Sequence, residues 1–581
     1  MTELFEPTGP HDRRLALRAE GLLAAFNEAG VLTAADVHVA RRLGALGGET
    51  DERVLFAVAL TTRAVRHGSV CLDLAHAASL APGAGLAWPE PADWVAALEA
   101  SPLLAAEVIR WEFGLLYLDR YRGQEVQVVA DLALRAAQPP PALDRSVLDA
   151  TLDRLFPGDA YVEQREAARL VVSRWTSVLT GGPGTGKTTT IAGLLAMLAE
   201  QAEAEGRELR IALTAPTGKA AARLQESVHK EMADAERFTD ADRARLERLS
   251  ASTLHRLLGT RRDNGTRFVH HRTNRLPHDV VIVDETSMVS LTMMARLVEA
   301  VRADARLVLV GDRDQLASVD AGAVLADLVE GLGGDDGMVA RLETNHRSQQ
   351  DIIALAAAIR SGDAERALEV LGSGSVEVQF ATTPEDLRSE MIHTALAVRA
   401  AAVAGDAAAA LALLEGHRLL CAHRRGPHGV GHWNRQVEAW LTEETGDPLW
   451  DEWYPGRPVL VTANDYGLGI HNGDTGVTVV RDGELRVFIQ GATEVLEFAP
   501  GRLNDVETMH AMTIHKSQGS QAKSISVLLP DEGARLLTRE LLYTAVTRAE
   551  TKVRVIGTPE VVREAIERRA VRATGLRHRL A

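Results

Sequence analysis

The chain of 581 residues contains two cysteines, Cys71 and Cys421. So few cysteines exclude a disulfide framework and a cysteine-rich zinc site, and they are typical of proteins in a reducing compartment. The N-terminal residues MTELFEPTGPHDRR do not show the basic segment and apolar segment of a secretion signal. We therefore expect a cytoplasmic protein.

The sequence also has no long uninterrupted apolar run. Its most apolar stretch, HTALAVRAAAVAGDAAAALALLEG, consists largely of alanine and is interrupted by Arg399 and Asp406. A membrane-spanning helix needs about 20 consecutive, predominantly apolar residues. The stretch therefore predicts a pair of buried or surface helices and not a membrane span.

Lysine and aromatic residues are scarce as well. Six of the 64 basic residues are lysines, and aromatic residues make up 4% of the chain. Lysine is a compact point charge and arginine is a planar fork, so a site that needs one does not readily accept the other. Lys187, Lys219 and Lys516 each lie in a motif described below. The few aromatic residues leave few platforms on which nucleobases could stack.

The formal net charge of −16 argues against a protein that coats polyanions non-specifically. It does not exclude nucleic acid held in a narrow, locally basic channel. A chain of this length is too long for one hydrophobic core, so we expect three or four domains.

The strongest signal is the segment SVLTGGPGTGKTTTIAGLLAMLAE. An apolar run that ends at Leu179 predicts a buried strand, and an apolar helical pattern begins at Thr188. The loop between them has the P-loop pattern G-x-x-x-x-G-K-[ST], whose backbone N–H groups converge on phosphate oxygens. Lys187 is expected to reach the β- and γ-phosphates of ATP, and Thr188 to bind Mg²⁺. The residues expected to hold the nucleotide here are Gly181, Gly182, Pro183, Gly184, Thr185, Gly186, Lys187, Thr188 and Thr189.

Two more predicted strands end in polar residues. The run Val280 to Val283 is followed by Asp284, which can hold the Mg²⁺ shell, and by Glu285, which can position or polarise the attacking water. The run 307–310 is followed by Gln315, whose neutral amide could sense a γ-phosphate. A turn or capping role for Gln315 remains an alternative.

The second half of the chain supplies further motifs. Arg347 and Arg548 could each stabilise charge on a transferred phosphoryl group. In order, the motifs are GGPGTGKTTT, TAPTGKAAARLQES, STLHRLLG, VIVDETSM, GDRDQLASVDAGAVLAD, LLCAHRRGPHGVGHWN, YPGRPVLVTANDYGLGIHNGDTGV, MTIHKSQGSQ and LLYTAVTRA. This set resembles that of superfamily-one DNA helicases of the 5′-to-3′ branch. More narrowly, it resembles the RecD family, the alpha subunits of RecBCD (exonuclease V) complexes, from about residue 160 to the C-terminus.

The resemblance implies specific roles for residues outside the P-loop. Gln518 and Gly519 would face the nucleotide, and Gln164 would read the adenine of ATP. The residues implied to contact single-stranded DNA are Pro216, Thr217, Lys219, His255, Thr513, His515 and Lys516. Ala317 follows the RecD version of its motif, where many related helicases carry proline. His346 is a departure, since that position is often tyrosine in the wider group.

The expected fold class is α/β, with two RecA-like P-loop motor domains, a helical N-terminal domain and a small β-barrel-like insert in the second motor domain. We expect the N-terminal domain over 1–135, the first motor over 136–355 and the second over 356–581, with the insert at about 440–508. The resemblance implies an ATP- and Mg²⁺-dependent 5′-to-3′ helicase that acts in double-strand break repair with RecB-like and RecC-like subunits.

Three alternatives remain open at this point. The chain could be an ATP-binding scaffold subunit, although the P-loop lysine, Glu285 and Arg548 would then be unnecessary. It could be a stand-alone RecD-like helicase. It could also be a nuclease, although the sequence contains no clear nuclease metal cluster.

Overall fold

The computed structural model describes residues 5, 7–81, 85–261, 264–333, 337–346, 349–465, 467–491, 494–530 and 536–580. Within these residues the fold contains two parallel sheets, each covered by helices, together with an N-terminal region and an antiparallel insert. The predicted α/β fold class, with parallel sheets, is confirmed. Regular structure between residues 136 and 145 is absent from this described stretch, which matches the Pro-rich sequence there.

The N-terminal region is mostly helical, but it also contains a small antiparallel sheet that the sequence analysis missed. The helices are α1 (Gly21–Glu28), α2 (Ala34–Gly47), α3 (Glu52–Arg66), α4 (Pro91–Glu99), α5 (Pro102–Ala105) and α6 (Asp119–Ala136). The strands are β1 (Cys71–Asp73), β2 (Ile109–Glu112) and β3 (Leu115–Leu118), with β3 in the centre. Strands of three or four residues are too short to show a readable alternation of apolar and polar residues.

The first parallel sheet has the strand order β11-β4-β10-β9-β5-β6 among the described residues. Its strands are β4 (Thr176–Gly181), β5 (Ile211–Ala215), β6 (Ala251–Thr253), β9 (Val280–Val283), β10 (Arg306–Gly311) and β11 (Val339–Leu342). A hairpin, β7 (Thr260–Arg261) and β8 (Asn264–Phe268), lies between β6 and β9 in the chain. The central strands are buried apart from Gly181 at the end of β4 and Arg306 at the start of β10, as is typical of a parallel sheet covered on both faces.

Helices cover both faces of this sheet. They are α7 (Arg145–Leu155), α8 (Val162–Val172), α9 (Lys187–Ala204), α10 (Gly218–Met232), α11 (Asp240–Leu246), α12 (Leu254–Leu258), α13 (Leu291–Ala300) and α14 (Val324–Gly331). Two hydrophobic clusters, one on each face, share the strands between them. The strands of such a sheet end at one edge, where ligands bind in open α/β folds.

The second parallel sheet has the order β12-β21-β20-β13-β19 in the described part of the chain. Its strands are β12 (Val378–Ala381), β13 (His417–Cys421), β19 (Ala511–Thr513), β20 (Ala522–Leu528) and β21 (Ala549–Ile556). Its helices are α15 (Gln350–Ser361), α16 (Ala364–Leu371), α17 (Arg388–Val403), α18 (Ala407–Leu414), α19 (Val430–Thr445), α20 (Arg539–Val546) and α21 (Pro559–Glu567). Helices α17 and α18 are the pair predicted from the alanine-rich stretch.

The insert is an antiparallel sheet with the order β17-β16-β15-β14-β18. Its strands are β14 (Pro458–Val461), β15 (Thr475–Arg481), β16 (Glu484–Gln490), β17 (Val495–Phe498) and β18 (Val506–Thr508). Among the described residues, the edge strands β17 and β18 do not pair with each other, so barrel closure is not confirmed. The insert was expected to begin at about residue 440, but residues 440–445 still belong to α19 and the first strand of the insert begins at Pro458.

The C-terminal segment returns from the second sheet to the first. After α21 the chain passes Ser69 and Glu125, and it ends in α22 (Leu576–Leu580), which packs on α14 and α6. Leu576 is buried in the core of the first sheet. We call residues 568–580 the C-terminal strap.

Candidate active site between the two parallel sheets

The P-loop connects the carboxyl end of β4 to the N-terminus of α9. Gly184 and Gly186 have φ of +81° and +86°, which is the left-handed region that favours glycine. Gly186 is also the residue that precedes the first turn of α9. The Lys187 Nζ donates to the carbonyl oxygens of Gly181 and Gly182 at 2.7 and 2.8 Å. The loop therefore holds its own lysine beside the helix N-terminus, where phosphate binds in P-loop proteins.

The acidic pair follows β9, the strand predicted from its apolar run. Burial raises the pKa of Asp284, and the neighbouring Glu285 carboxylate raises it further. Glu285 has φ of +50°, which is uncommon for a residue with a side chain and is a form of backbone strain found at functional sites. Both side chains face the cavity described below.

The oxygen-bearing side chains near the P-loop are suited to binding Mg²⁺ together with a nucleotide. Thr188 and Asp284 both line the cavity and could supply oxygen ligands. Mg²⁺ is typically bound by one or two protein oxygens, with phosphates and waters completing an octahedron. A bound cation would favour the charged form of Asp284 and so offset the effect of burial on its pKa. In the described part of the chain, no group of three or more His, Cys, Asp or Glu side chains could hold a metal ion.

Gln315 and Arg548 meet across the gap between the two sheets. Arg548 Nη2 donates to Gln315 Oε1 at 2.8 Å, and Gln315 Nε2 donates to Asp312 Oδ2 at 3.2 Å. Arg548 lies in the turn between α20, which ends at Val546, and β21. The turn brings the arginine out of the second sheet and into the cavity.

Two residues that the sequence analysis missed close the same gap. Tyr543 Oη donates to Asp312 Oδ2 at 3.0 Å, and burial raises the pKa of Asp312. The backbone N–H of Leu316 donates to Thr544 Oγ1 at 2.9 Å. The predicted nucleotide contact Gln518 instead donates to the carbonyl oxygen of Leu316 at 2.8 Å and does not line the cavity in the described residues. It therefore joins the two sheets.

Gln164 lies at the other end of the P-loop. Its Nε2 donates to the carbonyl oxygen of Thr185 at 3.0 Å and lies 3.1 Å from His346 Nε2. Its Oε1 is buried and has no hydrogen-bond partner among the described residues. A buried acceptor without a partner is unfavourable unless a ligand supplies a donor. The adenine amino group is such a donor, so the predicted role of Gln164 fits this geometry.

These side chains surround one cavity of about 490 Å³. It is large enough for a nucleotide. The predicted site residues that line it are Gln164, Pro183, Gly184, Gly186, Lys187, Thr188, Thr189, Asp284, Glu285, Gln315, Gly519 and Arg548. Arg347 lies outside the described residues. Residues that line the cavity but were not predicted include Arg223, Asp312 and His346.

Three of the predicted DNA contacts on the first sheet, Pro216, Thr217 and Lys219, lie at the N-terminal end of α10. Thr217 caps this helix, since its Oγ1 accepts from the backbone N–H of Ala220. Lys219 is in the first turn, and burial lowers its pKa to about 7. Pro216 precedes the cap and is half-buried, as Thr217 is. His255 is the second residue of α12, and burial lowers its pKa.

The predicted DNA contacts on the second sheet lie on a short 3-10 helix, Ile514–Ser517. Thr513 caps it, burial lowers the pKa of His515, and Lys516 Nζ lies 3.3 Å from Glu507 Oε2. Gly519 joins the two groups, because an added Cβ there would stand 3.4 Å from Thr217 Oγ1. The structure therefore places Thr217, at the N-terminal end of α10, beside Gly519, which lines the nucleotide cavity.

Three segments of the chain match known protein families. Residues 164–321 match an AAA domain, residues 508–556 match the UvrD-like helicase C-terminal domain, and residues 28–109 match the N-terminal domain of the RecBCD enzyme subunit RecD. The first two matches cover the P-loop and the Ile514–Ser517 segment.

Full-length relatives agree with these matches. The chain is 58% identical over 576 residues to the RecBCD enzyme subunit RecD of Mycobacterium tuberculosis (strain CDC 1551 / Oshkosh), which covers 98% of each protein. It is 59% identical over 564 residues to the RecBCD enzyme subunit RecD of Mycolicibacterium smegmatis, which covers 96% of this chain and 99% of the relative. The chain belongs to the RecD family.

Family membership confirms the predicted resemblance and the prediction of an ATP-dependent helicase. Among solved structures, the RecD-family chain is similar to Bacteroides Pif1 bound to ssDNA, at 16% identity and a TM-score of 0.38, over 68% of this chain and 92% of that one. In the part of the RecD-family chain that the structure describes, no helix has the length and apolar character to cross a bilayer.

Proposed function

We propose that this chain is the 5′-to-3′ DNA helicase subunit of a RecBCD-type helicase–nuclease. It would act on single-stranded and duplex-end DNA with RecB-like and RecC-like subunits in the cytoplasm, during double-strand break processing and recombinational repair. The observation that carries the proposal is the cavity itself. It is lined by Lys187 and Asp284 from the first sheet and by Arg548 from the second. A site divided between two sheets couples ATP turnover to their relative movement.

The proposed domain limits are 1–135 for partner docking, 136–355 for the first motor and 356–581 for the second. In this division each RecA-like motor contains one parallel sheet, and the barrel-like insert forms part of the DNA channel. The His471 side chain of the insert packs 3.5 Å from the position of a Cβ on Gly218, beside Lys219. The insert thus contacts α10 at the proposed DNA track.

In the proposed mechanism, the P-loop binds the phosphates of ATP and Lys187 leaves its loop carbonyls for the β- and γ-phosphates. Mg²⁺, held by Thr188 and Asp284, would neutralise phosphate charge. Glu285 orients a water and accepts a proton from it as the water attacks the γ-phosphorus. Arg548 and Arg347 stabilise charge on the transferred group. Gln315 contacts the γ-phosphate and also accepts a hydrogen bond from Arg548. Loss of the γ-phosphate would therefore shift Gln315 and, through it, Arg548.

DNA would lie across the two motors above the cavity. Lys219 and Lys516 are phosphate ligands in this proposal, and such contacts suit a motor that must work on any sequence. The N-terminal end of α10 and the Ile514–Ser517 segment meet at Gly519, which also lines the cavity. Closure of the cavity on ATP would therefore shift the two DNA-contact groups relative to each other.

The test is ATP-dependent unwinding of duplexes that carry a 5′ or a 3′ single-stranded tail. The full chain is measured alone and with its partner subunits. Lys187→Ala is the inactive variant, and Lys230→Ala, an exposed lysine on α10, is its matched control. We expect unwinding of the 5′-tailed duplex, its loss in Lys187→Ala and its retention in Lys230→Ala.

The rival function is an ATP-binding scaffold that never unwinds DNA. The buried Gln164 acceptor would serve both functions, because each needs ATP. The hydrolysis residues Glu285 and Arg548 favour the motor. Absence of unwinding for either tail in both forms of the protein, or equal activity of Lys187→Ala, would favour the scaffold.

A further inference from the structure

The nucleotide cavity is lined by an arginine from the first sheet that the mechanism above does not use. Arg223 lies on α10, where Ala220, Leu224 and Ser227 also face the cavity. These spacings place all four residues on one face of the helix. Burial lowers the pKa of Arg223 and the nearby Arg548 cation lowers it further, whereas the nearby Glu285 and Asp284 carboxylates raise it. Arg223 is therefore at the phosphate end of the cavity.

The partner of Arg223 mirrors the partner of Arg548. Arg548 from the second sheet donates to the side-chain oxygen of Gln315 from the first. Arg223 from the first sheet donates to the side-chain oxygen of Gln521 from the second. Among the described residues, the carboxylate nearest to the Arg223 guanidinium is that of Glu550, at 3.9 Å. Each arginine thus binds a neutral amide oxygen across the gap.

A neutral amide is a weak partner for a guanidinium. Hydrogen bonds between charged groups are roughly twice as strong as neutral ones, and the fork of arginine matches two phosphate oxygens at once. A γ-phosphate within reach would therefore displace Gln521. The long side chain of arginine and its half-buried position allow this exchange.

We propose that Arg223 is a further catalytic residue, whose guanidinium leaves Gln521 and binds the γ-phosphate of ATP. This inference rests on the proposed ATP-driven motor function. In the reaction, the water oxygen forms a bond to the γ-phosphorus and the bond to the β,γ-bridging oxygen breaks. ADP leaves with the electron pair, and a water proton passes to Glu285. Arg223 and Arg548 stabilise the charge on the transferred phosphoryl group from opposite sides of the gap.

The position of Arg223 on α10 gives the proposal a mechanical consequence. Lys219, a proposed DNA contact, precedes Arg223 by four residues, so both side chains lie on neighbouring turns of one face. A displacement of the N-terminal end of α10 by DNA would move Arg223 with it. The catalytic effect of Arg223 would therefore be largest when single-stranded DNA is present.

The experiment measures ATP hydrolysis by the full chain with saturating single-stranded DNA, and ATP binding separately by equilibrium titration with ATPγS. In Arg223→Met we expect kcat to fall by at least about tenfold, while the Kd for ATPγS changes by less than about threefold, as for a group that acts in the transition state. The kcat of Arg223→Lys should lie between that of wild type and that of Arg223→Met. Lys230→Met, which removes a cation from the exposed side of the same helix, should keep the wild-type kcat.

A purely structural role for Arg223 predicts a different result. If Arg223 only clamped the sheets together, Gln521→Leu, which removes the acceptor and keeps the arginine, would lower kcat as much as Arg223→Met. We expect the loss in Gln521→Leu to be far smaller. An unchanged kcat in Arg223→Met, or equal losses in both variants, overturns the inference. If wild type itself shows no DNA-stimulated hydrolysis, the proposed motor function fails instead.

Discussion

The guanidinium of Arg548 donates a 2.8 Å hydrogen bond to the side-chain oxygen of Gln315, and the two residues belong to different parallel sheets. Their separation in sequence is 233 residues. Gln315 is also bound to Asp312, which Tyr543 contacts from the second sheet. A change at the phosphate end of the cavity can therefore reach the second sheet through side chains that are already in contact.

The first prediction concerns Arg548. Replacing it with lysine keeps the charge but removes the fork that reaches Gln315 and a phosphate together. We expect Arg548→Lys to lower the kcat of DNA-stimulated ATP hydrolysis by roughly a thousandfold, as arginines at such positions contribute about that much. Steady-state phosphate release measures the effect. Arg563→Lys, a surface arginine paired with Glu365, serves as the control and should match wild type. Similar rates in both variants would contradict the role of Arg548.

The second prediction concerns the base of the nucleotide. Gln164→Leu removes two groups: the buried Oε1 acceptor, which has no partner among the described residues, and the Nε2 group that donates to the carbonyl oxygen of Thr185. We expect the preference for ATP over GTP, as a ratio of kcat/KM, to fall by at least about tenfold, because sites that hydrogen-bond a substrate discriminate strongly. The exposed Gln138→Leu controls for loss of an amide. An undiminished preference for ATP would exclude base reading by Gln164.

The third prediction concerns the junction between the two proposed DNA-contact groups. Gly519 has φ of +73°, and a Cβ there would stand 3.2 Å from the Cβ of Ala220. Gly519→Ala should destabilise the fold by about 1–2 kcal/mol through backbone strain and also push α10 away from the cavity, lowering ATP hydrolysis. Gly473→Ala separates the two effects, since its φ is +97° and no atom lies within 4 Å of the added Cβ. It should lower the melting temperature but retain hydrolysis.

Local sequence carried enough information to predict the central elements of the first parallel sheet. The strand Val280–Val283 was found at its observed limits, because four consecutive β-branched residues before an acidic pair are a local signal. The P-loop was found for the same reason, since its strand, loop and helix are contiguous. The pair α17 and α18 followed from composition together with the interruption near Asp406.

Contacts between the sheets could not be read from the sequence. Tyr543 meets Asp312 across 231 residues, and Arg223 meets Gln521 across 298. Such pairs depend on how two separately formed sheets dock, and no local pattern records that. Arg223 could have been suspected, because it follows Lys219 by one helical turn. The C-terminal strap, which crosses back to Glu125, left no sequence signal at all.

The fourth prediction concerns the anchoring of that strap. Thr574 Oγ1 lies 3.0 Å from a carboxylate oxygen of both Glu125 and Asp327. Burial raises the pKa of Asp327 to about 7, above its ordinary value of 3.8, so the folded protein favours the protonated acid. Between these two values the folded state binds more protons than the unfolded one. The stability that Asp327 contributes is therefore present at low pH and is lost as the pH rises toward 7.

Asp327→Asn removes this titration and keeps a polar group beside Thr574. We expect the variant to gain, in the free energy of unfolding, on the order of 2 kcal/mol more at pH 8 than at pH 5. Thermal unfolding at the two pH values measures the difference. The exposed Asp451→Asn should show no such dependence. A gain at pH 5 equal to that at pH 8 would show that charge on Asp327 is not the cause.

The last prediction concerns DNA binding by Lys219. Burial and, to a smaller extent, the nearby Arg418 cation together lower the pKa of this lysine to about 7. Its ammonium group is therefore mostly charged at pH 6 and mostly neutral at pH 8. A DNA phosphate binds the charged form, so its affinity for this site should fall as the pH rises. His255 and His515 do not reproduce this trend, because burial lowers the pKa of both below its ordinary value of 6.5.

Lys219→Arg places a permanent charge at the same position. In wild type we expect the affinity for single-stranded DNA to fall by up to about tenfold per pH unit above the pKa of Lys219, and in Lys219→Arg we expect this dependence to be lost. Fluorescence anisotropy with a labelled oligonucleotide at fixed ionic strength measures it, because salt alone alters phosphate binding. Lys230→Arg on the exposed side of α10 should keep the wild-type pH dependence. If Lys219→Arg kept it too, the titrating group would be another residue, and the proposed DNA track would not pass over the N-terminal end of α10.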